Sequence, residues 1–237
     1  MSTFVLIHGA WHGRWCWDKL TSRLEQAGHC VIAPDLPGLG KDQTPLAEIT
    51  LQTWVDYVGQ ILEAQPEPVI LVGHSRGGVI ISQVAESHPH KIKTLVYLAA
   101  FLLRDGESLL QVAQGDSASL LLPNLIVSDD QLYATVRAEA QREGFYGECS
   151  DEDVTQAQSL LRPEPMAPLA TPIHLTAGNY GRIPRVYIEC LRDKAIPIAL
   201  QRQMYAATPC QQVITIDTDH SPFLSRPEAL AADLCAL

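Results

Sequence analysis

The chain has 237 residues, of which 46% are hydrophobic and 19% are charged, and its net charge is −10. This composition is typical of a globular protein with a sizeable core and excludes a disordered chain. A protein this acidic is repelled by nucleic-acid phosphates and by anionic membrane surfaces, so we expect neither as a partner.

Short apolar runs alternate with helical patterns along the chain. Six of these runs predict strands, at residues 4–8, 30–33, 68–73, 94–98, 185–190 and 212–216. Most are continuously apolar, as is typical of parallel strands buried on both faces. Helices are predicted at residues 15–27, 51–63, 75–87 and 225–237, the last opened by a capping box that begins at Ser225. The alternation predicts an α/β protein whose mostly parallel sheet of about six strands is flanked by helices.

The segment from residue 101 to about residue 180 lacks a convincing core strand. Helical patterns occupy residues 129–142 and 150–161, and several prolines follow between residues 163 and 172. A structureless loop of this length is implausible in a compact domain. We therefore expect a mainly helical lid over residues 101–180, inserted into a core formed by residues 1–100 and 181–237.

Compartment and cofactor use follow from simple patterns. The longest apolar run, residues 95–103, is too short for a membrane helix, and no basic region precedes the first apolar run. We therefore expect a cytoplasmic protein without a signal peptide. The six cysteines include no CxxC pair, which argues against a zinc site and favours reduced thiols.

The strongest chemical signal is Gly73-His74-Ser75-Arg76-Gly77, which fits the G-x-S-x-G nucleophile elbow. In this motif a serine projects from a sharp turn between a strand and a helix, where bulky neighbours would collide. An apolar strand precedes Ser75 and a helical run follows it, so the surrounding sequence agrees with the motif. We predict that Ser75 is a nucleophile.

A serine nucleophile needs a histidine base and an acid that orients the histidine. His220 lies in the loop after the last predicted strand, at the edge where open α/β sheets place their sites. Asp193 follows the preceding strand and is the predicted acid, with Asp217 as its rival. A triad of this kind needs no metal or organic cofactor, so none is predicted.

An oxyanion hole needs two backbone N–H groups. We expect them at Arg76, directly after the nucleophile, and at Ala10, in the turn after the first strand. The Arg76 side chain either binds a substrate carboxylate or pairs with a local acidic residue, and His8 is expected to hold its loop. The remaining candidates for substrate contact are Gly9, Trp11, His12 and, from the lid, His174.

Taken together, these residues resemble the α/β-hydrolase superfamily, and within it the plant methylesterase and hydroxynitrile lyase group, which has bacterial esterase members. The resemblance spans nearly the whole chain and is carried by residues 4–10, 69–78, 159–163, 185–188 and 219–220. It implies the α/β-hydrolase fold, a triad of Ser75, Asp193 and His220, and oxyanion donors at Ala10 and Arg76.

Departures from the group narrow the expected reaction. Lyases that resemble this chain carry a lysine after the catalytic histidine or an asparagine in the first turn, whereas this chain has Ser221 after His220 and Gly9 in the turn. The resemblance therefore implies a carboxylic ester hydrolase that acts on a small or medium-sized substrate through an acyl-enzyme. Arg76 replaces the usual methionine or leucine and residues 102–145 match poorly, which leaves acyl and alcohol specificity open.

Two other functions stay open on the same fold. The first is cyanohydrin cleavage, which Ser75-dependent release of cyanide from mandelonitrile would identify. The second is a ligand receptor with little turnover, which tight binding without product would identify. The sequence also leaves the oligomeric state open, and a homodimer is one of the options.

Overall fold

The computed structural model describes residues 1–237 and contains nine strands and ten helices. The strands are β1 (Thr3–Ile7), β2 (Cys30–Ile32), β3 (Val69–His74), β4 (Ile92–Leu98), β5 (Leu125–Val127), β6 (Tyr133–Val136), β7 (Glu164–Pro165), β8 (Arg185–Cys190) and β9 (Gln212–Ile216). The helices are α1 (Asp18–Gln26), α2 (Leu51–Glu63), α3 (Gly77–Ser87), α4 (Leu109–Gln114), α5 (Ala138–Phe145), α6 (Asp151–Leu160), α7 (Met166–Ala170), α8 (Ile198–Ala207), α9 (Pro222–Ser225) and α10 (Pro227–Cys235).

The central sheet has six strands in the order β2-β1-β3-β4-β8-β9, and every pairing is parallel. The predicted α/β fold is confirmed, and each of these strands lies within two residues of its predicted bounds. Because all six strands are parallel, their C-terminal ends lie at one edge of the sheet. The loops that follow β1, β3, β8 and β9 therefore meet at that edge.

Helices cover both faces of the sheet. Along β1, Phe4 and Leu6 pack into a layer with α1 and α10, whereas Val5 and Ile7 pack into the opposite layer with α2 and α3. This alternation follows from the two-residue period of a strand, and it explains why the strand is apolar at every position. Each fully buried Leu, Ile or Phe stabilises the fold by about 1.5–3 kcal/mol.

The core helices begin and end close to where the sequence predicts. Helix α2 has the predicted bounds, and Thr50 caps it by accepting a hydrogen bond from the Thr53 N–H. Helix α1 begins at Asp18 because the preceding residues, Arg14–Trp17, form a 3-10 turn. None of the ten helices combines the length and hydrophobicity needed to cross a bilayer.

The predicted capping box at the C-terminus is wrong. Ser225 is the last residue of the short helix α9, and its hydroxyl donates to Asp219 Oδ1 at 2.8 Å instead of capping the next helix. Helix α10 begins at Pro227 without a side-chain cap. A tertiary contact to the loop after β9 has therefore replaced the local capping interaction.

Residues 101–180, called the cap segment below, leave the sheet after β4 and return at the neighbouring strand β8. Helix α6 confirms the pattern at residues 150–161 and is capped by Ser150. The helix predicted at residues 129–142 is wrong in its first half, because β5, β6 and β7 form a small antiparallel sheet. The tight turn between β5 and β6 is held by Ser128 and Asp130, whose side chains are 2.6 Å apart and favour turns over helix interiors.

Candidate active site

Ser75 lies in the sharp turn between β3 and α3, with the left-handed backbone angle φ of 54°. Such a conformation costs on the order of 1–3 kcal/mol for a residue other than glycine and persists only when its surroundings hold it. A Cβ at Gly73 would lie 2.7 Å from the Gly77 backbone, and a Cβ at Gly77 would lie 2.7 Å from the Ile7 carbonyl oxygen. The two motif glycines therefore permit the turn, and α3 begins at Gly77 rather than at the predicted residue 75.

His220 and Asp193 form a buried pair at the sheet edge. The Nδ1 of His220 lies 2.7 Å from Oδ2 of Asp193, and Oδ1 of Asp193 accepts hydrogen bonds from the N–H groups of Ala195 and Ile196. Burial raises the pKa of the Asp193 carboxyl, and His220 with these N–H groups opposes that rise. Because an ionised carboxylate only accepts, Nδ1 carries the proton, and Nε2 is left as the basic nitrogen.

The rival acid, Asp217, lies elsewhere. Its carboxylate is exposed and pairs with Arg192 at 2.6 Å. The Asp193 carboxylate also accepts a hydrogen bond from Gln201 Nε2 at 3.0 Å, a contact the sequence did not predict. The structure thus brings Asp193, and not Asp217, against the His220 ring.

The nucleophile elbow and the histidine loop are in direct contact. His74 Nε2 donates to the backbone carbonyl of His220 at 2.8 Å, and the two imidazole rings lie 4.5 Å apart. Ser75 Oγ makes no hydrogen bond in the structure, and 8% of the residue is exposed. The hydrogen bond from His74 therefore holds the residue directly before Ser75 against the His220 loop.

The loop after β1, residues 8–12, packs on the same turn. A Cβ at Gly9 would lie 2.8 Å from His74 Nδ1 and 3.0 Å from the Ser75 Cβ, so glycine allows this close approach. The N–H groups of Ala10 and Arg76 donate to no other protein atom, although both residues are buried. Two free amides beside a serine are what an oxyanion hole requires.

The Arg76 side chain is buried and paired with a distant residue. Its Nε lies 2.9 Å from Oε1 of Glu164, and both side chains are at most 2% exposed. Of the two roles expected for the Arg76 side chain, the structure shows pairing with an acidic residue, and that residue, Glu164, comes from β7 of the cap segment. A buried guanidinium needs a partner. The sequence contains no signal for Glu164, because its place depends on how the cap segment folds back.

Three histidines of the site are buried in the neutral form. Burial and the nearby Arg76 charge hold the pKa of His8 well below its usual range, and burial lowers that of His74 in the same way. Burial also lowers the pKa of His12 to about 4. His8 accepts from the Leu36 N–H at 3.1 Å and donates to the Gly9 carbonyl at 2.9 Å, so it ties the loop to the core.

We expect His12→Gln to reduce the sensitivity of the fold to acid. The His12 imidazole binds a proton near pH 6.5 when unfolded but only near pH 4 when folded, so the unfolded state binds more protons between these values. The neutral ring therefore contributes stability that is complete above about pH 6.5 and is lost as the pH falls toward 4. The lowered pKa of His12 corresponds to about 3 kcal/mol of unfolding free energy between the two pH limits.

Urea denaturation of both proteins at about pH 7.5 and pH 4 measures this contribution. The loss of unfolding free energy on acidification should be smaller in His12→Gln by most of that amount. An equal loss in the two proteins would contradict a neutral, buried His12.

A cavity beside Ser75 is lined by 17 residues, of which 14 are hydrophobic. Ala10, Trp11 and Arg76 contribute to its wall, together with leucines of the cap segment. His12 does not line this cavity, because its Nε2 forms a hydrogen bond of 2.7 Å with the Tyr146 hydroxyl instead. The His174 side chain is 85% exposed on the protein surface beside Asp105, so the structure does not bring it to the site.

Comparisons with known proteins identify the family. The model of the alpha/beta hydrolase family matches residues 4–233, and the chain belongs to this family. It is 36% identical to the putative chloroplastic methylesterase 11 of Arabidopsis thaliana, over 96% of this chain but only 61% of that relative. It is 34% identical to methylesterase 7 of the same plant, over 99% of this chain and 94% of the relative.

A solved structure agrees with these matches. The pyrethroid hydrolase from Sphingobium faniae JZ-2 superposes with a TM-score of 0.89 and 32% identity, covering 99% of this chain and 96% of that one. The expected family and fold are therefore confirmed. The relatives that are named for ester cleavage agree with the predicted class, a carboxylic ester hydrolase.

Proposed function

We propose that this protein hydrolyses uncharged carboxylic esters through Ser75, His220 and Asp193. The observation that carries the proposal is the convergence at one sheet edge of a left-handed elbow serine, a buried histidine–aspartate pair and two free amides. The esterase names among the relatives support the same reaction class.

The reaction proceeds in two steps. Ser75 Oγ attacks the ester carbonyl carbon while His220 Nε2 takes the serine proton, and the carbonyl oxygen becomes an oxyanion held by the amides of Ala10 and Arg76. The bond to the alcohol then breaks, and His220 returns the proton to the leaving oxygen. Water, activated by the same nitrogen, attacks the acyl-enzyme and releases the acid. Asp193 stabilises the imidazolium that forms in each step.

The preference for uncharged esters follows from the cavity wall. Arg76 is the only charged residue among those that line it, and Glu164 already neutralises the guanidinium. An anionic acyl group would enter an apolar cavity without a partner, which is costly. Hence the alternative role of Arg76, binding a substrate carboxylate, is disfavoured.

Two esters with the same leaving group test the proposal. The protein should release p-nitrophenol from p-nitrophenyl butyrate well above the buffer rate. With p-nitrophenyl hemisuccinate, which is anionic at neutral pH, kcat/KM should fall by about tenfold or more because of the unpaired buried charge. A preference for the hemisuccinate would overturn the assignment of substrate charge. Cyanide release from mandelonitrile, without ester hydrolysis, would favour the lyase instead.

A further inference from the structure

We infer that Arg76 and Glu164 act together as positioning residues that set the direction of the Ala10 N–H in the oxyanion hole. This inference rests on the proposed ester hydrolysis. If the inference holds, the cap segment helps to position the oxyanion hole, because Glu164 belongs to that segment and Arg76 belongs to the nucleophile elbow.

The first contact is on the peptide that joins Gly9 to Ala10. The Gly9 carbonyl accepts hydrogen bonds from Arg76 Nη2 at 3.0 Å and from His8 Nδ1 at 2.9 Å. A peptide unit is planar, so fixing the Gly9 carbonyl also fixes the N–H of Ala10 on its opposite side. The guanidinium charge polarises the peptide as well, which makes its N–H a stronger donor.

The second contact is on the next peptide. Glu164 Oε2 accepts a hydrogen bond from the Trp11 N–H at 3.0 Å. Trp11 has the left-handed angle φ of 62°, which is unfavourable for a bulky residue. Two more bonds from the cap segment hold Trp11, from the Arg162 N–H to its carbonyl and from its Nε1 to the Ala134 carbonyl, both at 2.9 Å. The pair thus holds the peptides on both sides of Ala10.

The burial of the pair argues for such a role. The guanidinium is sealed from water and stacks over the Trp54 ring at 4.2 Å. Burying an ion pair gives little net stability, and apolar residues of similar volume often replace one without loss. Arg76 also supplies the second oxyanion amide from its own backbone. One side-chain pair therefore links both donors of the oxyanion hole.

The decisive variant is Arg76→Met/Glu164→Met, which removes both charges and keeps the Arg76 amide. We expect it to fold with a somewhat lower Tm, because the buried Trp11 N–H loses its acceptor, and to hydrolyse p-nitrophenyl butyrate with a kcat about tenfold to a hundredfold lower. That loss is smaller than the roughly 10²–10³-fold cost of deleting an oxyanion donor. KM should change by less than about threefold, because the misplaced amide acts mainly in the transition state.

A tetrahedral adduct provides an independent readout. A trifluoromethyl ketone adds to Ser75 Oγ, His220 takes the serine proton, and the ketone oxygen becomes an oxyanion that needs the same two amides. Its inhibition constant should rise in parallel with the fall in kcat. Glu164→Gln should show the same trend. Glu189→Gln is the matched control, because Glu189 is a buried carboxylate whose salt bridge to the exposed Arg202 lies away from the cavity, and this variant should keep its kcat.

A folded double variant with wild-type kcat and wild-type affinity for the ketone would overturn the inference. If the wild type shows no Ser75-dependent hydrolysis, that result refutes the proposed function alone. The positioning role is then tested by hydrogen exchange of the peptide covering residues 8–14, which should accelerate in Glu164→Gln and not in Glu189→Gln. Unchanged exchange would mean that Glu164 does not hold the loop.

Discussion

Ser75→Ala should lower kcat for p-nitrophenyl butyrate by about 10³–10⁶-fold, the range observed when a serine nucleophile of a triad is removed. Alanine keeps the elbow backbone and both free amides but has no oxygen to attack the carbonyl. The residual rate should come from binding and the oxyanion hole alone. Initial rates of p-nitrophenol release at saturating substrate measure the effect.

A covalent label distinguishes loss of the nucleophile from loss of the fold. Ser75 Oγ attacks the phosphorus of a fluorophosphonate and displaces fluoride, and His220 takes the proton. Mass spectrometry should find one adduct on the peptide containing Ser75 in the wild type and none in Ser75→Ala. Ser82→Ala is the matched control, because Ser82 is a buried serine of α3 whose hydroxyl lies 2.7 Å from that of Tyr97. Undiminished turnover in Ser75→Ala would refute the mechanism.

Asp193→Asn should lower kcat by about 10⁴-fold, since a neutral amide reverses the proton arrangement on the histidine. The asparagine carbonyl can still accept from the Ala195 and Ile196 amides. Its NH₂ group then faces His220 Nδ1, which must accept rather than donate. The imidazole proton moves to Nε2, so this nitrogen can no longer take the proton of Ser75.

Asp217→Asn is the comparison variant because Asp217 is the other acid that follows from the sequence. Its carboxylate is exposed and bound to Arg192, so we expect a kcat within about twofold of the wild type, as is usual for surface sites. A slow Asp217→Asn with a fast Asp193→Asn would assign the acid to Asp217. Thermal melting of both variants confirms that the compared proteins are folded.

The core of the fold is predictable because its signals are local. The six sheet strands are apolar runs bounded by turn residues, and α2 combines a helical stripe with a threonine at its start. Each feature lies within about a dozen residues. For α2 the helical period predicts both the element and its buried face, whereas the strands are predicted by the length of the apolar run and the turn residues beside it.

The cap segment is less predictable because long-range contacts decide it. Strand β6 pairs with β5 and with β7, and its Ala134 and Val136 face the interior while the intervening residue is partly exposed. A four-residue alternation is too short to compete with the helical pattern around it. In the same way, the hydrogen bond from Ser225 to Asp219 overrides a good local capping sequence.

The residues of the candidate site likewise differ in whether the local sequence predicts them. Ser75, Asp193 and His220 follow from motif spacing and chain order, because each ends or follows a predicted strand. Glu164 does not, since its partners Arg76 and Trp11 lie far along the chain and leave no local signature. Gln201 does not either, because no motif marks it although it lies only eight residues after Asp193. His174 shows the converse: its position in the cap segment predicts a site residue, but its side chain points into solvent.

The pairing of Arg76 with Glu164 also limits how the two parts of this chain can be recombined. Because β4 and β8 are adjacent, the cap segment begins and ends at neighbouring strands, which is favourable for grafting a foreign cap onto this sheet. A grafted cap without an acidic residue at the Glu164 position would bury the guanidinium alone, at a cost of about 3–5 kcal/mol. A working chimaera must therefore either keep an acidic residue at that position of the cap or replace Arg76 together with the cap.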